Sequence, residues 1–171
     1  MHPVDVTSAL KSMVCLVDTR EQDTPRFRAR MDKLGCKWER HKLYFGDYSA
    51  KCDCIDLSSS VVVERKMSLD ELCNCYCKER SRFEREFERA MKANAKVYLL
   101  IEDASWEKAY AGNYRSKMNP NSLVSSMIAW LARYNCQILF CCPETSGKLI
   151  HDVLYREMKE RLEAMPDEHN G

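Results

Sequence analysis

Residues 61–70 read VVVERKMSLD, and this stretch decides the architecture of the chain. Three consecutive valines are typical of a buried strand, because β-branched side chains pack well on a pleated surface. Three charged residues, Glu64, Arg65 and Lys66, follow them directly. Side chains alternate across a strand, so Glu64 and Lys66 share one face and Arg65 points to the other. The sequence therefore predicts a buried strand that ends in a carboxylate and an ammonium group held side by side.

A helix is predicted directly after this strand. Ser68 and Glu71 have the spacing of a capping box, in which each side chain accepts a hydrogen bond from a free backbone N–H of the first turn. The helix should cover about residues 69–76. Asp70 then falls in its first turn, where the helix dipole favours a carboxylate.

On both sides of this unit, strands and helices alternate along the chain. Strands are predicted near 13–18, 36–43, 48–53, 55–66, 96–103 and 136–142, and helices near 27–35, 69–76, 80–93 and 120–134, with a last helix capped by Thr145 or Ser146 and ending near Met165. This order predicts an α/β fold with a mixed, partly parallel central sheet flanked by helices. All 171 residues fit a single domain with its core at about residues 13–165.

Composition and charge limit the classes of function. The net charge is only +1, so any surface that binds nucleic acid must be local. No run of about 18 apolar residues predicts a membrane span, and the N-terminus lacks the features of a signal peptide. We therefore expect a cytoplasmic protein, or a nuclear one in a eukaryote or a nuclear virus. The 10 cysteines should be free thiols, with a zinc site at Cys73, Cys75 and Cys77 as the alternative.

Carboxylates mark three of the predicted strand ends. Asp18 ends one strand, Asp47 follows a turn just before another, and Glu64 ends the run of valines. Neighbouring carboxylates repel each other unless a cation lies between them, and oxygen ligands suit Mg²⁺ or Mn²⁺. Lys66 could stabilise charge on a phosphate, so the set predicts phosphodiester hydrolysis. Taken one at a time, each acid could instead be a solvated turn or strand edge.

Three motifs, in this order, resemble the nuclease domain of the XPF family of structure-specific endonucleases. They are VDTRE at 17–21, GDY at 46–48 and ERKMSLD at 64–70. The family signature is GDx(n)ERKxxxD preceded by V-D-x-R-E, and the similarity extends over about residues 13–155. The resemblance implies a restriction-endonuclease-like fold and metal-dependent cleavage of DNA at branched, flapped or junction structures. DNA repair and recombination are the expected settings.

The resemblance also implies roles for individual residues. The metal-binding acids are matched by Asp18, Asp47 and Glu64, the catalytic lysine by Lys66, and supporting positions by Arg20, Glu21, Arg65 and Asp70. We expect Asp70 to pair with Arg65 or Arg20 rather than to bind metal, and Arg65 to pair with a nearby acid. Full-length family members carry a helix-hairpin-helix module after the nuclease domain, and none is predicted here, so the chain resembles a stand-alone version.

Contacts to DNA are expected from basic segments near the motifs, because Lys and Arg bind phosphates and aromatic rings stack on unpaired bases. The strongest candidate is the loop at 113–119, which we expect to become ordered on DNA. The proposed DNA-binding residues are Arg82, Tyr114, Arg115 and Lys117.

Two further expectations concern assembly and activity. The predicted helix at 120–134 and the last helix carry wide apolar stripes, which indicate a homodimer, although core packing would also explain them. The alternative to an active nuclease is a catalytically inactive DNA-binding or scaffold module of the same fold. Because Asp47, Glu64 and Lys66 are all present, the sequence favours the enzyme.

Overall fold

A computed structural model describes residues 3–166, in which helices and strands alternate along most of the chain. The strands are β1 (Val14–Asp18), β2 (Lys37–His41), β3 (Tyr48–Lys51), β4 (Val61–Lys66), β5 (Lys96–Glu102) and β6 (Cys136–Cys141). The helices are α1 (Pro3–Lys11), α2 (Pro25–Asp32), α3 (Leu69–Cys77), α4 (Arg80–Lys92), α5 (Trp106–Ala111), α6 (Pro120–Arg133) and α7 (Pro143–Ala164). The strands form one sheet in the order β2-β1-β3-β4-β5-β6.

The sheet is mixed, as predicted. β1 and β2 are parallel, β3 is antiparallel to both of its neighbours, and β4, β5 and β6 are parallel to one another. The carboxyl ends of β1 and β4 therefore lie at the same edge of the sheet as the start of β3. This arrangement brings the three predicted acidic positions to one edge.

Helices cover both faces of the sheet, each over its own apolar core. One core packs α1, α2 and α7 against side chains such as Val17, Tyr48 and Val63. The other packs α3, α4 and α6 against Val62 and Leu99. This two-sided burial explains why β4 reads as an unbroken apolar run, since a strand covered on both faces needs no polar side.

Aromatic rings fill the core beneath α4 and α6. Trp130 of α6 is fully buried and stacks on Phe83 of α4, with ring centroids 5.5 Å apart. Phe87 lies one turn further along α4 and packs edge-on against the same indole. Such pairs add about 0.5–1.5 kcal/mol each beyond the burial of their area. They fix α4 against the sheet close to the strand ends.

The helices differ from the prediction in two places. α1 was not predicted. α7 begins at Pro143 after Cys142, so Thr145 and Ser146 lie inside the helix. Their hydroxyls donate to the carbonyls of Cys142 and Pro143 instead of capping N–H groups. The missing cap is replaced by proline at the first helical position, where its lack of an N–H costs nothing.

The apolar stripes of α6 and α7 are mostly used within the chain. Their buried members include Leu123, Met127, Trp130, Ile150, Leu154 and Met158. Core packing thus accounts for most of the pattern that indicated a homodimer, and Ile128 of α6 is left 48% exposed. Among the residues described, no helix is both long and apolar enough to cross a bilayer.

All ten cysteines lie within the described residues, and each is a free thiol. Cys73 and Cys75 are buried in α3, and Cys77 is exposed at its end.

Candidate active site

The turn before β3 places Asp47 between two strands. Gly46 adopts a φ of +72°, and a Cβ at this position would lie 2.6 Å from the Cβ of Val62. Only glycine meets both conditions without strain. The N–H of Asp47 donates to the carbonyl of Val63 at 2.8 Å, and the carbonyl of Asp47 accepts from the N–H of Asp18 at 2.8 Å. The backbone of Asp47 is thereby fixed between β1 and β4.

The four predicted catalytic positions share one face of the sheet. Their chain neighbours Val17, Tyr48 and Val63 lie in the core under α1, α2 and α7. Side chains alternate across a strand, so the catalytic set points to the other face, towards α3 and α4. This set consists of Asp18, Asp47, Glu64 and Lys66.

Glu64 and Lys66 form a buried ion pair. Lys66 Nζ lies 2.5 Å from Glu64 Oε1, and the two residues are 9% and 4% exposed. The ammonium also lies 5.2 Å from the ring centre of Phe83. Glu64 Oε2 is buried and has no hydrogen-bond partner in the described structure. An unsatisfied carboxylate oxygen at such depth is costly, so its retention indicates a ligand.

Burial and mutual charge shift the pKa values of Asp47, Glu64 and Lys66. Burial raises the pKa of the Asp47 carboxyl well above its usual value, and the Glu64 carboxylate adds to the shift. Burial also raises the pKa of Glu64, which Lys66 only partly offsets. Burial lowers the pKa of Lys66, but the carboxylates of Glu64 and Asp47 outweigh it and leave that pKa raised. The lysine therefore stays charged, whereas burial favours the protonated form of the two acids.

Asp18 accepts three hydrogen bonds. Its Oδ1 accepts from the N–H of Arg20 at 2.8 Å and from the guanidinium Nε of Arg20 at 2.6 Å. Its Oδ2 accepts from the N–H of Leu43 at 2.8 Å. Asp18 therefore lies in the predicted place, and Arg20 occupies one of its two carboxylate oxygens.

Glu86 of α4 is a site residue that sequence analysis did not identify. Its Oε1 accepts from the N–H of Gly46 at 3.1 Å and lies 3.5 Å from Arg20 Nη2. Its charge also contributes to the raised pKa of Glu64. The sequence does place Glu86 next to the buried Phe87 on a helix beside the motif, but such a residue looks like one of many solvated helix charges.

The supporting residues on the other face of the sheet form a second network. Arg65 makes two hydrogen bonds to the carboxylate of Glu102, at 2.7 and 2.8 Å, which confirms that it pairs with an acid. Glu21 Oε2 accepts from the hydroxyl of Tyr48 at 2.7 Å and from Arg30 Nη2 at 3.1 Å. These bonds join β4 to β5, and the segment after β1 to β3 and α2, directly behind the candidate catalytic residues.

Asp70 does not pair with Arg65 or Arg20, and that prediction was wrong. Its carboxylate accepts from the backbone N–H groups of Arg115 and Ser116, at 2.8 and 2.7 Å. A carboxylate at the start of α3 is close enough to the loop at 113–119 to satisfy its backbone donors, whereas both arginines have nearer acidic partners.

The loop at 113–119 is anchored to the rest of the fold by Asp70 and Tyr114, and its further ordering on DNA stays a prediction. The hydroxyl of Tyr114 donates to the carbonyl of Met118 at 2.8 Å, and its ring packs against the core. The side chain of Arg115 is 93% exposed, and Lys117 is exposed as well. Arg82 is also solvent-facing and pairs with Glu79 at 3.3 Å.

The residues present can be tested for their fit to a divalent cation. No group of three His, Cys, Asp or Glu side chains in the described part of the chain forms a ready metal cluster. Asp47 and Glu64 nevertheless fit, because one oxygen of Glu64 is unsatisfied and both carboxyls carry a raised pKa. Asp18 could complete a set of oxygen ligands suited to Mg²⁺ or Mn²⁺ once Arg20 is displaced.

Comparisons with known proteins identify a family and similar solved structures. A family model described as the ERCC4 domain matches residues 17–153. The structure of XPF from Aeropyrum pernix matches with a TM-score of 0.60 at 22% identity, covering 90% of this chain and 62% of that chain. The same XPF in complex with DNA matches with a TM-score of 0.61 at 21% identity, covering 91% of this chain and 68% of that chain.

These structural matches show the restriction-endonuclease-like fold and confirm the predicted fold class. The chain spans about 62% of the length of the first of these structures. No curated protein matches the sequence.

Proposed function

The chain belongs to the ERCC4 domain family, a family of structure-specific DNA nucleases, and on that premise we propose that it is a DNA endonuclease dependent on Mg²⁺ or Mn²⁺. One observation carries the proposal. Asp47, Glu64 and Lys66 converge on one face at the strand ends, and Glu64 Oε2 is buried there without a partner. A DNA complex among the similar structures supports the choice of substrate.

Each residue of the site has a distinct task in this proposal. Asp47 and Glu64 would hold the divalent ion, which would supply Lewis-acid chemistry at the phosphate. Lys66 donates hydrogen bonds to the phosphate oxygens as negative charge builds up on them. Its position is fixed in advance by Glu64, so little reorganisation is needed at the moment of reaction. Asp18 would add a third carboxylate ligand, with Arg20 turned away from it.

The finer features of the proposal concern substrate and assembly. We propose branched, flapped or junction DNA as the substrate, with phosphate contacts from exposed Arg82, Arg115 and Lys117. The proposed cleavage would serve DNA repair or recombination. It would take place in the cytoplasm or, for a eukaryote or nuclear virus, in the nucleus. A homodimer is proposed through the apolar residues still accessible on α6, including Ile128. A monomer mass in solution would contradict the dimer.

A second candidate function is a DNA-binding module that does not cut. Two observations favour it. Asp18 already accepts three hydrogen bonds, from Arg20 and Leu43, and no group of three metal-binding side chains is found among residues 3–166. The cleavage assay described next separates the two functions, because a binding module would bind the DNA substrates and cleave none of them.

The test is a panel of end-labelled substrates incubated with Mg²⁺, with Mn²⁺ or with EDTA. The panel contains flaps, forks, four-way junctions, single strands and plain duplex. Asp47→Asn removes a metal-binding charge and should abolish cleavage while keeping the hydrogen bond from the Arg65 N–H. Asp53→Asn, an exposed acid in the β3–β4 connection, is the matched control and should cut as the wild type does. Cleavage that persists in EDTA or in Asp47→Asn would contradict the proposed mechanism.

A further inference from the structure

A cleft opens at the same edge of the sheet as the candidate active site, between the first turns of α2 and α3. Four guanidinium groups line it, those of Arg20, Arg26, Arg30 and Arg65. The acidic residues along its walls are Glu21 and Glu71. Arg20, Arg30 and Arg65 each pair with an acid, which leaves Arg26 as the arginine of this cleft with no ion pair in the described structure. Planar guanidinium donors suit a phosphate group.

The inner wall of the cleft is rigid. Arg65 is held by two hydrogen bonds to Glu102. Arg30 is only 5% exposed and donates to the Tyr48 hydroxyl at 2.9 Å and to Glu21 at 3.1 Å. Their partners neutralise most of their charge, so these two arginines shape the cleft more than they charge it.

Arg26 supplies charge that nothing in the described fold uses. Within residues 3–166 it forms no ion pair, and its recorded contact is from Nη1 to the sulfur of Met67 at 3.9 Å. It lies in the first turn of α2, which contains no acidic residue. The helix dipole disfavours a cation at this end and favours an anion. A bound phosphate would pair with the guanidinium of Arg26 and would place a negative charge at the N-terminal end of the helix.

Arg20 connects the cleft to the candidate catalytic residues. Its side chain is 58% exposed, lines the cleft and bonds to Asp18. Arg20 therefore places the cleft next to the acidic edge of the sheet, at the ends of β1 and β4.

We propose that this cleft binds a backbone phosphate of DNA next to the one that is cleaved, with Arg26 as its main unpaired cation. The inference rests on the proposed function, because it assumes that DNA occupies the strand ends. It adds a second anchoring point, which would fix the direction in which the strand crosses the site. Arg20 can share the same phosphate, which would loosen its hold on Asp18.

The experiment measures DNA binding without divalent metal, so that it does not depend on cleavage. A fluorescently labelled fork is titrated with protein at several salt concentrations, and anisotropy gives the affinity. Arg26→Ala is compared with Arg28→Ala. Arg28 is an exposed arginine on the same helix, but it pairs with Asp23 and does not line the cleft. Each variant loses one positive charge, so a difference between their DNA affinities is due to the position of Arg26 in the cleft.

We expect Arg26→Ala to reduce the slope of log affinity against log salt by about 0.7 to 0.9, the value for one lost phosphate contact. Arg28→Ala should keep the wild-type slope, and Arg26→Lys should largely restore it. Equal slopes for Arg26→Ala and Arg28→Ala, or a wild type that binds no DNA, would overturn the inference.

The outcomes also separate this inference from the proposed function. Suppose that Arg26→Ala lowers the salt slope but the wild type cuts no DNA with Mg²⁺ or Mn²⁺. This result would support phosphate binding in the cleft and refute the endonuclease. A wild type that cuts DNA, with Arg26→Ala showing an unchanged slope, would refute the cleft alone.

Discussion

Lys66 Nζ lies 2.5 Å from one carboxylate oxygen of Glu64, while the other oxygen of that carboxylate is buried without a partner. The two residues are neighbours on one face of β4, so the strand itself fixes their distance. The lysine therefore compensates the charge of Glu64 but contacts only one of its two carboxylate oxygens. The other oxygen lacks a partner, which a metal ion or a cationic group could supply.

Removal of the lysine should destabilise the fold as well as the site. Lys66→Met leaves Glu64 as an uncompensated buried charge, and breaking such a pair costs about 3–5 kcal/mol. We expect a loss of this order in the free energy of unfolding, measured by urea denaturation at neutral pH. Because burial already raises the pKa of Glu64, the loss should shrink as the pH falls and the carboxyl becomes protonated.

The control for this prediction is the double variant Glu64→Gln with Lys66→Met, which removes both charges. It should recover much of the lost stability, although neither variant should cut DNA. If the single and double variants lose equal stability, the ion pair does not contribute as described.

Arg20 should weaken metal binding in the absence of DNA. It occupies Oδ1 of Asp18, so Arg20→Ala frees a third carboxylate beside Asp47 and Glu64. We expect Mn²⁺ to bind Arg20→Ala at least severalfold more tightly than the wild type, measured by calorimetry without DNA. Arg28→Ala should match the wild type, and Asp47→Asn should lose binding. Weaker binding by Arg20→Ala would show that the arginine supports the metal site instead of blocking it.

The strands and the acids of the site could be predicted from sequence, because both depend on local patterns. The apolar run before Glu64, the glycine before Asp47 and the strand end at Asp18 each identify a position within a few residues. The mixed topology then brings the three positions to one edge. α1 was not predicted because its nine residues do not follow a capping box, the pattern that marked α3, which has the same length.

The partners of these residues could not be predicted, because they depend on contacts between distant parts of the chain. Asp70 meets the backbone N–H of a residue 45 positions away, and Asp18 meets the N–H of Leu43. Every residue except proline has a backbone N–H, so the sequence does not indicate which of them donates to a distant carboxylate. Glu102 is different, since it lies one residue before the end of the predicted strand at 96–103 and could have been included among the strand-end acids.

Asp70 should control the order of the loop at 113–119. Asp70→Ala removes the acceptor of two backbone N–H groups, which typically costs about 1–3 kcal/mol. We expect amide hydrogen exchange at Arg115 and Ser116 to accelerate by about tenfold or more. Arg115→Ala is the matched control, because it retains the backbone N–H that Asp70 binds. Equal exchange in the two variants would show that the loop is held by its side chains, with Tyr114 foremost.

Glu157 should make the attachment of α7 sensitive to acid. It accepts hydrogen bonds from Lys96, Tyr98 and Arg161, and its side chain is 12% exposed. Partial burial raises the pKa of this carboxyl, but the three donors outweigh burial and lower it to about 2. A folded-state pKa below the ordinary value of about 4.3 contributes stability that is complete at neutral pH and is lost between about pH 4 and pH 2.

Glu157→Gln should therefore lose up to about 3 kcal/mol of stability at pH 7, and its deficit against the wild type should narrow as the pH falls below about 4. Thermal unfolding followed by circular dichroism between these values measures the change. Glu160→Gln on the same helix removes an exposed acid that pairs with Arg156, and it should cost about 0.5 kcal/mol or less. If Glu157→Gln is less stable than the wild type by the same amount at every pH, then side-chain packing, and not the charge of Glu157, holds α7 to β5.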